Sequence, residues 1–230
     1  MQVDAWVPGP NDLALGLDFF VAQMQRNAIP IVAANLERRD GSMPFRSHLV
    51  RELNGRRIVV VGLVTQRWPE TSGLVARDAV SAARRVVSSA VGSGDMLLVV
   101  AQVGLDEARR LAQRIPRASA VLVADPKSFT FLPSEVVLDR RRPRDSVLPL
   151  VAAGRHGAHL VRFDVLAQTG DPVWRSDQGD PPSRGATRYR FTFADLDDAV
   201  VEDAATASWR AALPAPRPAA QTLPLAPHLE

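Results

Sequence analysis

Residues 57–64, Arg-Ile-Val-Val-Val-Gly-Leu-Val, decide the fold class because seven apolar residues run without interruption after Arg57. A run of this length predicts a strand that is covered on both faces, as in a parallel sheet between helices. Asn54-Gly55 precedes it and is the strongest short signal for a hairpin. The strand predicted over 45–53 is therefore expected to pair with residues 57–64.

The pattern downstream alternates between helices and strands. A helix is predicted over 76–91, and the next buried strand is 96–101, MLLVVA. A further helix begins at Asp106, and 120–124, AVLVA, is predicted as another strand. This alternation favours an α/β fold with layered, mixed sheets. The inward face of the 76–91 helix is predicted to consist of Ala76, Val80, Ala83, Val87 and Ala90.

The flanking parts extend this plan on both sides. Leu17, Phe20, Val21 and Met24 share one face of a predicted helix, between strands predicted at 3–7 and 29–34. Trp6 is expected to pack in the core. After residue 124 the pattern turns β-rich, with strands expected at 134–138, 147–153, 158–167 and around Tyr189, Phe191 and Phe193. Residues 170–187 are predicted to be a surface loop and 196–212 a short helix, before a Pro/Ala-rich tail.

Composition limits the possible chemistry. The chain has 230 residues, no cysteine, four histidines and a net charge of +3, and Lys127 is the only lysine among 28 basic residues. The lack of cysteine excludes disulfides, thiolate metal sites and thiol nucleophiles. Because no basic stripe with interleaved aromatics is present, the arginine excess is interpreted as coding bias, and nucleic-acid binding is not expected. The sequence has no candidate membrane span and no recognisable signal peptide.

Five segments in a fixed order resemble one enzyme family, the calcineurin-like metallophosphoesterases of the 5′-nucleotidase / UDP-sugar hydrolase branch. The resemblance implies a layered sandwich of mixed β-sheets flanked by helices that lacks the family's first strands. It assigns residues 1–204 to a degenerate domain of that family and 205–230 to an extended or disordered tail. The matching segments are Asp4–Gly9 with Gly16–Phe20, Pro30–Leu36, Glu52–Thr65, Ala153–Gly157 and Leu196–Asp203.

The family resemblance implies two metal ions held by Asp, Asn and His ligands, which activate a water and clamp a phosphate. The positions that align with those ligands have changed. Asn11 and Asp12 stand at the family's Gly-Asn-His-Asp turn, and Gln102 stands at a histidine position. The four residues aligned with a Gly-His-x-His turn are Asp125, Pro126, Lys127 and Ser128.

Because no histidine lies between His48 and His156, no shift of the alignment restores these ligands. His48 is expected to be structural. His156 and His159 are three residues apart without a nearby pair of carboxylates, and His228 lies in the tail, so none of the four predicts a metal site. The interpretation is a pseudoenzyme with no catalytic residue, no metal and no cofactor.

The function expected is that of a non-catalytic accessory subunit that binds a protein partner in a larger assembly. Enzymes of this family are mostly extracytoplasmic, so the resemblance suggests a membrane-attached electron-transfer complex on the envelope side as one setting. Two alternatives stay open. One is a divergent phosphoesterase or nucleotidase with relocated ligands. The other is an anion or nucleotide sensor that uses Arg155 or the arginines Arg140, Arg141, Arg142 and Arg144.

Overall fold

The computed structural model describes residues 3–69, 72–124, 134–137, 147–152, 159–166, 173–176, 186–195 and 204–211. The chain divides into two units, 1–195 and 196–230. The helices are the 3-10 helix η1 (Pro10–Leu13), α1 (Leu17–Arg26), α2 (Ala79–Ala90), α3 (Leu105–Arg114) and α4 (Ala204–Ala211). The strands are β1 (Leu36–Arg38), β2 (His48–Leu53), β3 (Arg56–Val64), β4 (Leu74–Ala76), β5 (Met96–Gln102), β6 (Ala118–Val123), β7 (Ser134–Val137), β8 (Val147–Ala152), β9 (His159–Leu166), β10 (Val173–Ser176) and β11 (Ala186–Asp195).

The main sheet has six strands in the order β2-β3-β5-β6-β8-β7. β3, β5, β6 and β8 are parallel, and the two edge strands, β2 and β7, pair antiparallel to their neighbours. This topology confirms the α/β class. The β2–β3 hairpin also forms as expected, because Asn54 and Gly55 both adopt the positive φ values, 52° and 73°, that a two-residue type I′ turn requires.

One face of the main sheet is fully buried beneath α2 and α3. Val59, Val61 and Leu63 of β3 alternate inward there, with matching residues of β5, β6 and β8. Alternate side chains on the opposite face are only half-buried, namely Ile58, Val60, Leu98, Val100 and Leu122. A second core lies around α1 and the carboxyl end of β3, built from Leu13, Phe20, Ala33, Leu36, Phe45, Val64 and Leu74.

Helix α2 begins three residues later than the sequence indicated, and its inward face is rotated. Asp78 caps it by accepting a hydrogen bond from the Ser81 backbone N–H at 2.8 Å, so Ala76 falls outside the helix and lies in β4. The buried residues are Ala79, Ala82, Ala83, Val86 and Val87. Val80 and Ala90 were expected to be buried and are only partly so. Helices α1 and α3 lie where they were predicted, with the expected faces inward.

The strands predicted at 3–7 and 29–34 are reduced to isolated bridges, between Trp6 and Ile31 and between Val32 and Arg46. The reason is that this segment crosses over β3 instead of lying beside it. The crossing is at Gly62, where an added Cβ would lie 2.7 Å from the carbonyl carbon of Val32 and 3.0 Å from Val7 Cγ2. Gly62 therefore permits the close approach, and its carbonyl accepts the Ala34 N–H at 2.8 Å.

A second sheet has the order β10-β11-β9, with β9 and β11 antiparallel and β10 parallel to β11. β9 and β11 agree with the prediction. The prediction of a loop over 170–187 is wrong in part, because this range contains the strand β10, which pairs along β11.

In the second unit, α4 lies within the predicted 196–212 helix and overlaps the start of the predicted tail at 205. Residues 212–230 lie outside the described residues. No helix in the described part of the chain is long and apolar enough to cross a membrane.

Candidate functional site

The site expected from the resemblance lies where β3, β5 and β6 end. The Thr65 N–H donates to the Gln102 carbonyl at 3.1 Å, and the Ala124 N–H donates to the Ala101 carbonyl at 2.9 Å. The carboxyl ends of three parallel strands therefore meet at one edge. Ligand sites in open α/β sheets are built at this edge.

The turn that contains Asn11 and Asp12 reaches the same edge. A Cβ added to Gly9 would lie 3.0 Å from Gln102 Nε2, so the Gly9 backbone packs directly on that amide. The two segments are separated by about ninety residues of sequence, and the fold brings them together as the alignment implied.

Asp12 is engaged in the local turn. Its Oδ2 accepts the Gly9 N–H at 2.8 Å and the Trp6 Nε1–H at 3.2 Å, which closes the turn before η1. This contact holds the Trp6 ring at the surface, where it is 38% exposed. The expectation that Trp6 packs in the core is therefore wrong, since its indole N–H finds its partner in an exposed carboxylate.

The described donors at this edge do not make up the ligand set of a pair of divalent ions. The described side chains here include the exposed amide of Asn11, the Asp12 carboxylate, whose Oδ2 is held by two donors, and the half-buried amide of Gln102. An amide oxygen can ligate an ion, but the site that the resemblance implies also needs several imidazole and carboxylate ligands. Among the described residues, no group of three or more His, Cys, Asp or Glu side chains is arranged to hold a metal ion.

The other predicted site residues are placed as follows. Asp125, Pro126, Lys127 and Ser128 directly follow the described Ala124 and lie outside the described residues, as do Arg140, Arg141, Arg142, Arg144, Arg155, His156 and His228. His159 begins β9, where it is in register with Asp195. The structure therefore brings the turn that contains Asn11 and Asp12 to Gln102 through Gly9.

His48 lies on the edge strand β2 and is half-buried, with its Nδ1 3.0 Å from Ser47 Oγ. Burial lowers the pKa of the imidazole, and the positive charge of Arg57 lowers that pKa further. Because both effects favour the neutral ring and a hydroxyl is its contact, the geometry agrees with the structural role expected for His48.

Asn35 is a structural residue whose role the sequence did not reveal. Its Nδ2 donates to the carbonyls of Val64 at 2.8 Å and Arg77 at 2.9 Å, and its Oδ1 accepts the Val64 N–H at 2.9 Å. The side chain is fully buried with all three of these bonds made. Asn35 therefore ties the end of β3, next to the candidate site, to the segment before α2.

A cavity of about 330 Å³ lies elsewhere, between the β1–β2 region and α2. Its lining combines apolar and polar groups, and its carboxylate, Glu37, already pairs with Arg77 Nε at 2.9 Å. The sequence contained no pattern that indicated this cavity. Its lining residues are Ala34, Glu37, Gly41, Met43, Ser47, Ala82, Arg85, Val86 and Ser89.

The fold, compared with known proteins, is that of phosphoesterases and nucleotidases. No family model matches the chain, and no curated protein matches its sequence. Among solved structures, it is similar to the calcineurin-like phosphoesterase YfkN from Bacillus subtilis, with a TM-score of 0.64 and 16% identity, covering 86% of this chain and 65% of that one. It is also similar to a putative 5′-nucleotidase from Staphylococcus aureus, with a TM-score of 0.67 and 11% identity, covering 90% of this chain and 41% of that one.

A third similar structure is a 5′-nucleotidase precursor from Thermus thermophilus, with a TM-score of 0.62 and 18% identity, covering 83% of this chain and 38% of that one. These matches confirm the expected α/β fold of the calcineurin-like phosphoesterases. The chain spans between 38% and 65% of the length of the three solved chains, so their fold is matched only in part.

Proposed function

We propose that this chain is a non-catalytic, metal-free module with a phosphoesterase fold, which acts as an accessory subunit by binding a protein partner. The observation that carries the proposal is the donor set at the carboxyl edge of the main sheet. Of the side chains described there, Asn11 and Gln102 are neutral amides, and Asp12 is bound within its own turn.

The way Asp12 is bound supports this assignment. A bridging carboxylate in a two-metal site must present its oxygens to the cations. In this chain Oδ2 of Asp12 accepts the Gly9 N–H and the Trp6 indole N–H, so the orientation of this carboxylate is set by its own turn. Such a carboxylate stabilises the turn, which is a structural task.

The surface next to this edge supports a protein partner. Trp6, Leu15 and Phe19, which flank η1, are 38%, 73% and 48% exposed. Trp is among the residue types most enriched at the positions that dominate binding energy in protein interfaces. A partner that covers Trp6 would remove an exposed apolar ring from water.

The second candidate is a divergent phosphoesterase or nucleotidase, favoured by the fold that the chain shares with enzymes of those names. Its ligands would come from outside the described residues or from another polypeptide. The two candidates differ in one measurable property, the release of phosphate in the presence of a divalent ion.

Hydrolysis of a nucleoside monophosphate and of bis(p-nitrophenyl) phosphate, measured with excess Mn²⁺ and again with a chelator, tests the proposal. We expect a rate equal to that of the buffer under both conditions. Chelator-sensitive turnover would establish the second candidate instead. The partner is tested by the mass of the complex that contains the protein at native abundance. This mass should exceed that of the monomer, and a strictly monomeric protein would refute the accessory role.

A further inference from the structure

The outer surface of α2 and α3 carries a dense set of arginines. Residues 77–117, which contain α2, β5 and α3, have seven arginines and four carboxylates, a net charge of +3 that equals the net charge of the whole chain. The remaining residues are therefore neutral in sum. We define the arginine face as the exposed side chains Arg84, Arg85, Arg109, Arg110 and Arg114.

Arg84 connects the part of the arginine face on α2 to the part on α3, whereas Arg85 lies on the flank of α2 that lines the cavity together with Glu37. Arg84 lies in α2, and its Nε and Nη2 donate to the Arg114 carbonyl at the end of α3 at 3.3 and 3.2 Å. This contact joins the helices and offsets the negative end of the α3 dipole. Arg110 and Arg114 are four residues apart on α3, so both lie on the same side of that helix.

Few carboxylates neutralise this surface. Asp106 pairs with Arg109 at 2.8 Å, and Asp95 is occupied by Arg57. Asp78 caps α2, and the positive charges of Arg114 and Arg84 are secondary contributions, after its hydrogen bonds to Ser81, to the lowering of the pKa of that carboxyl. Asp78 thus experiences the positive field of the face. The fourth carboxylate, Glu107, lies three residues before Arg110 on α3. No ion pair is described for the side chains of Arg85, Arg110 and Arg114.

We propose that the arginine face is a docking surface for an acidic segment of a protein partner, one rich in Asp and Glu. This inference rests on the proposed function, because it specifies the chemistry of the partner. Guanidinium groups bind carboxylates through two parallel hydrogen bonds. The exposed side chains between the arginines are small or neutral, among them Ser81, Ser88, Ser89 and Gln113, so carboxylates can approach closely.

The composition of the face favours an acidic protein over a bilayer or a nucleic acid. The large exposed apolar side chains of the described residues lie elsewhere, so nothing on the face can insert into a membrane interface. Residues 77–117 contain no Phe, Tyr or Trp, and single-stranded nucleic acids bind by stacking on such rings.

The test measures fluorescence anisotropy of a labelled oligo-glutamate peptide with the full chain at about 0.15 M salt. The double variant Arg85→Gln/Arg110→Gln removes two positive charges from the face and should weaken binding of the peptide about tenfold. Because neither side chain caps a helix in the described structure, the variant should still fold. The matched control is Arg26→Gln/Arg67→Gln, which removes the same charge from exposed sites outside the face and should weaken binding less than twofold.

Three outcomes would overturn the inference. The first is that the wild-type chain shows no affinity for the peptide, and the second is that the control variant loses as much affinity as the double variant. The third is tighter binding of duplex DNA or of vesicles with anionic lipid than of the peptide, which would assign the face to phosphates. A failure here leaves the proposed function standing, whereas chelator-sensitive hydrolysis refutes that function whether or not the peptide binds.

Discussion

Asn35→Ala should destabilise the protein more than any substitution of a polar surface residue. Asn35 is fully buried, and its amide makes three hydrogen bonds to the backbone of Val64 and Arg77. Alanine would leave the N–H and the carbonyl of Val64 and the carbonyl of Arg77 without these partners. The cavity left behind lies inside the fold, where water cannot replace all three bonds.

The magnitude follows from these three groups. A buried polar group that loses its partner costs about 1 to 3 kcal/mol. With about 1 to 1.5 kcal/mol for each group, the free energy of unfolding falls by about 3 to 4.5 kcal/mol. Domains of this size have about 5 to 15 kcal/mol in total, and the melting temperature shifts by about 2 to 4 °C per kcal/mol, so Tm should fall by about 6 to 18 °C.

Urea unfolding followed by circular dichroism measures this loss. The matched control is Asn27→Ala, because Asn27 is an exposed residue at the end of α1 whose side chain makes one hydrogen bond, to the Gln23 carbonyl at 2.8 Å. The control should lose about 1 kcal/mol or less. Equal losses in the two variants would refute the argument that Asn35 holds β3 to the segment before α2.

Three further predictions concern other contacts. Gly62→Ala should fail to give folded protein, because its Cβ would overlap the Val32 carbonyl, whereas Gly104→Ala, with open space around it, should fold; equal soluble yields would contradict the close crossing. Asp95→Ala removes the carboxylate that pairs with Arg57 and accepts the Gly92 N–H at 2.7 Å. Because the Asp95 side chain is only 11% exposed, the free energy of unfolding should fall by about 1 to 3 kcal/mol. Asp106→Ala, at a side chain that is 84% exposed, should lower the free energy of unfolding by less than about 0.5 kcal/mol. Chemical unfolding that ranks the two variants in reverse would refute the assignment. The pKa of His48 is lowered in the folded state, so as the pH falls the unfolded chain binds a proton at a higher pH than the folded chain does. The contribution of His48 to stability is therefore fully present above about pH 6.5 and falls as the pH drops below that value. His48→Gln should therefore reduce the loss of Tm between about pH 7.5 and about pH 5.5, and an unchanged loss would contradict the role of burial.

Much of the main sheet could be predicted from local patterns. β3, β5 and β6 are short apolar runs between turn signals, and Asn54-Gly55 fixed the hairpin through its backbone preference. Residues 29–34 have the same apolar character but cross over β3 at Gly62, and no local pattern distinguishes crossing from pairing. β10 was missed because its strand state depends on a partner, β11, and not on its own composition.

For the candidate site, the resemblance implied one group of ligand positions that includes Asn11, Asp12 and Gln102. The structure shows the contact between Gly9 and Gln102, and the role of these residues stays a prediction. The bond from Trp6 to Asp12 was not foreseen, because an exposed indole held by a carboxylate looks in sequence like any core tryptophan. The arginines of α2 and α3 were interpreted as coding bias, since only the paired helices show that Arg84 reaches the carboxyl end of α3.

The central claim is that the carboxyl edge of the sheet does not hold a pair of metal ions. Metal content after equilibration with Mn²⁺ and removal of free ion, measured by mass spectrometry on the natively folded full chain, tests it most directly. The proposal predicts no stoichiometric manganese, and the same Tm with and without the ion, because nothing at the folded site gains from binding. Two ions retained per chain, with a rise in Tm that a chelator reverses, would contradict it.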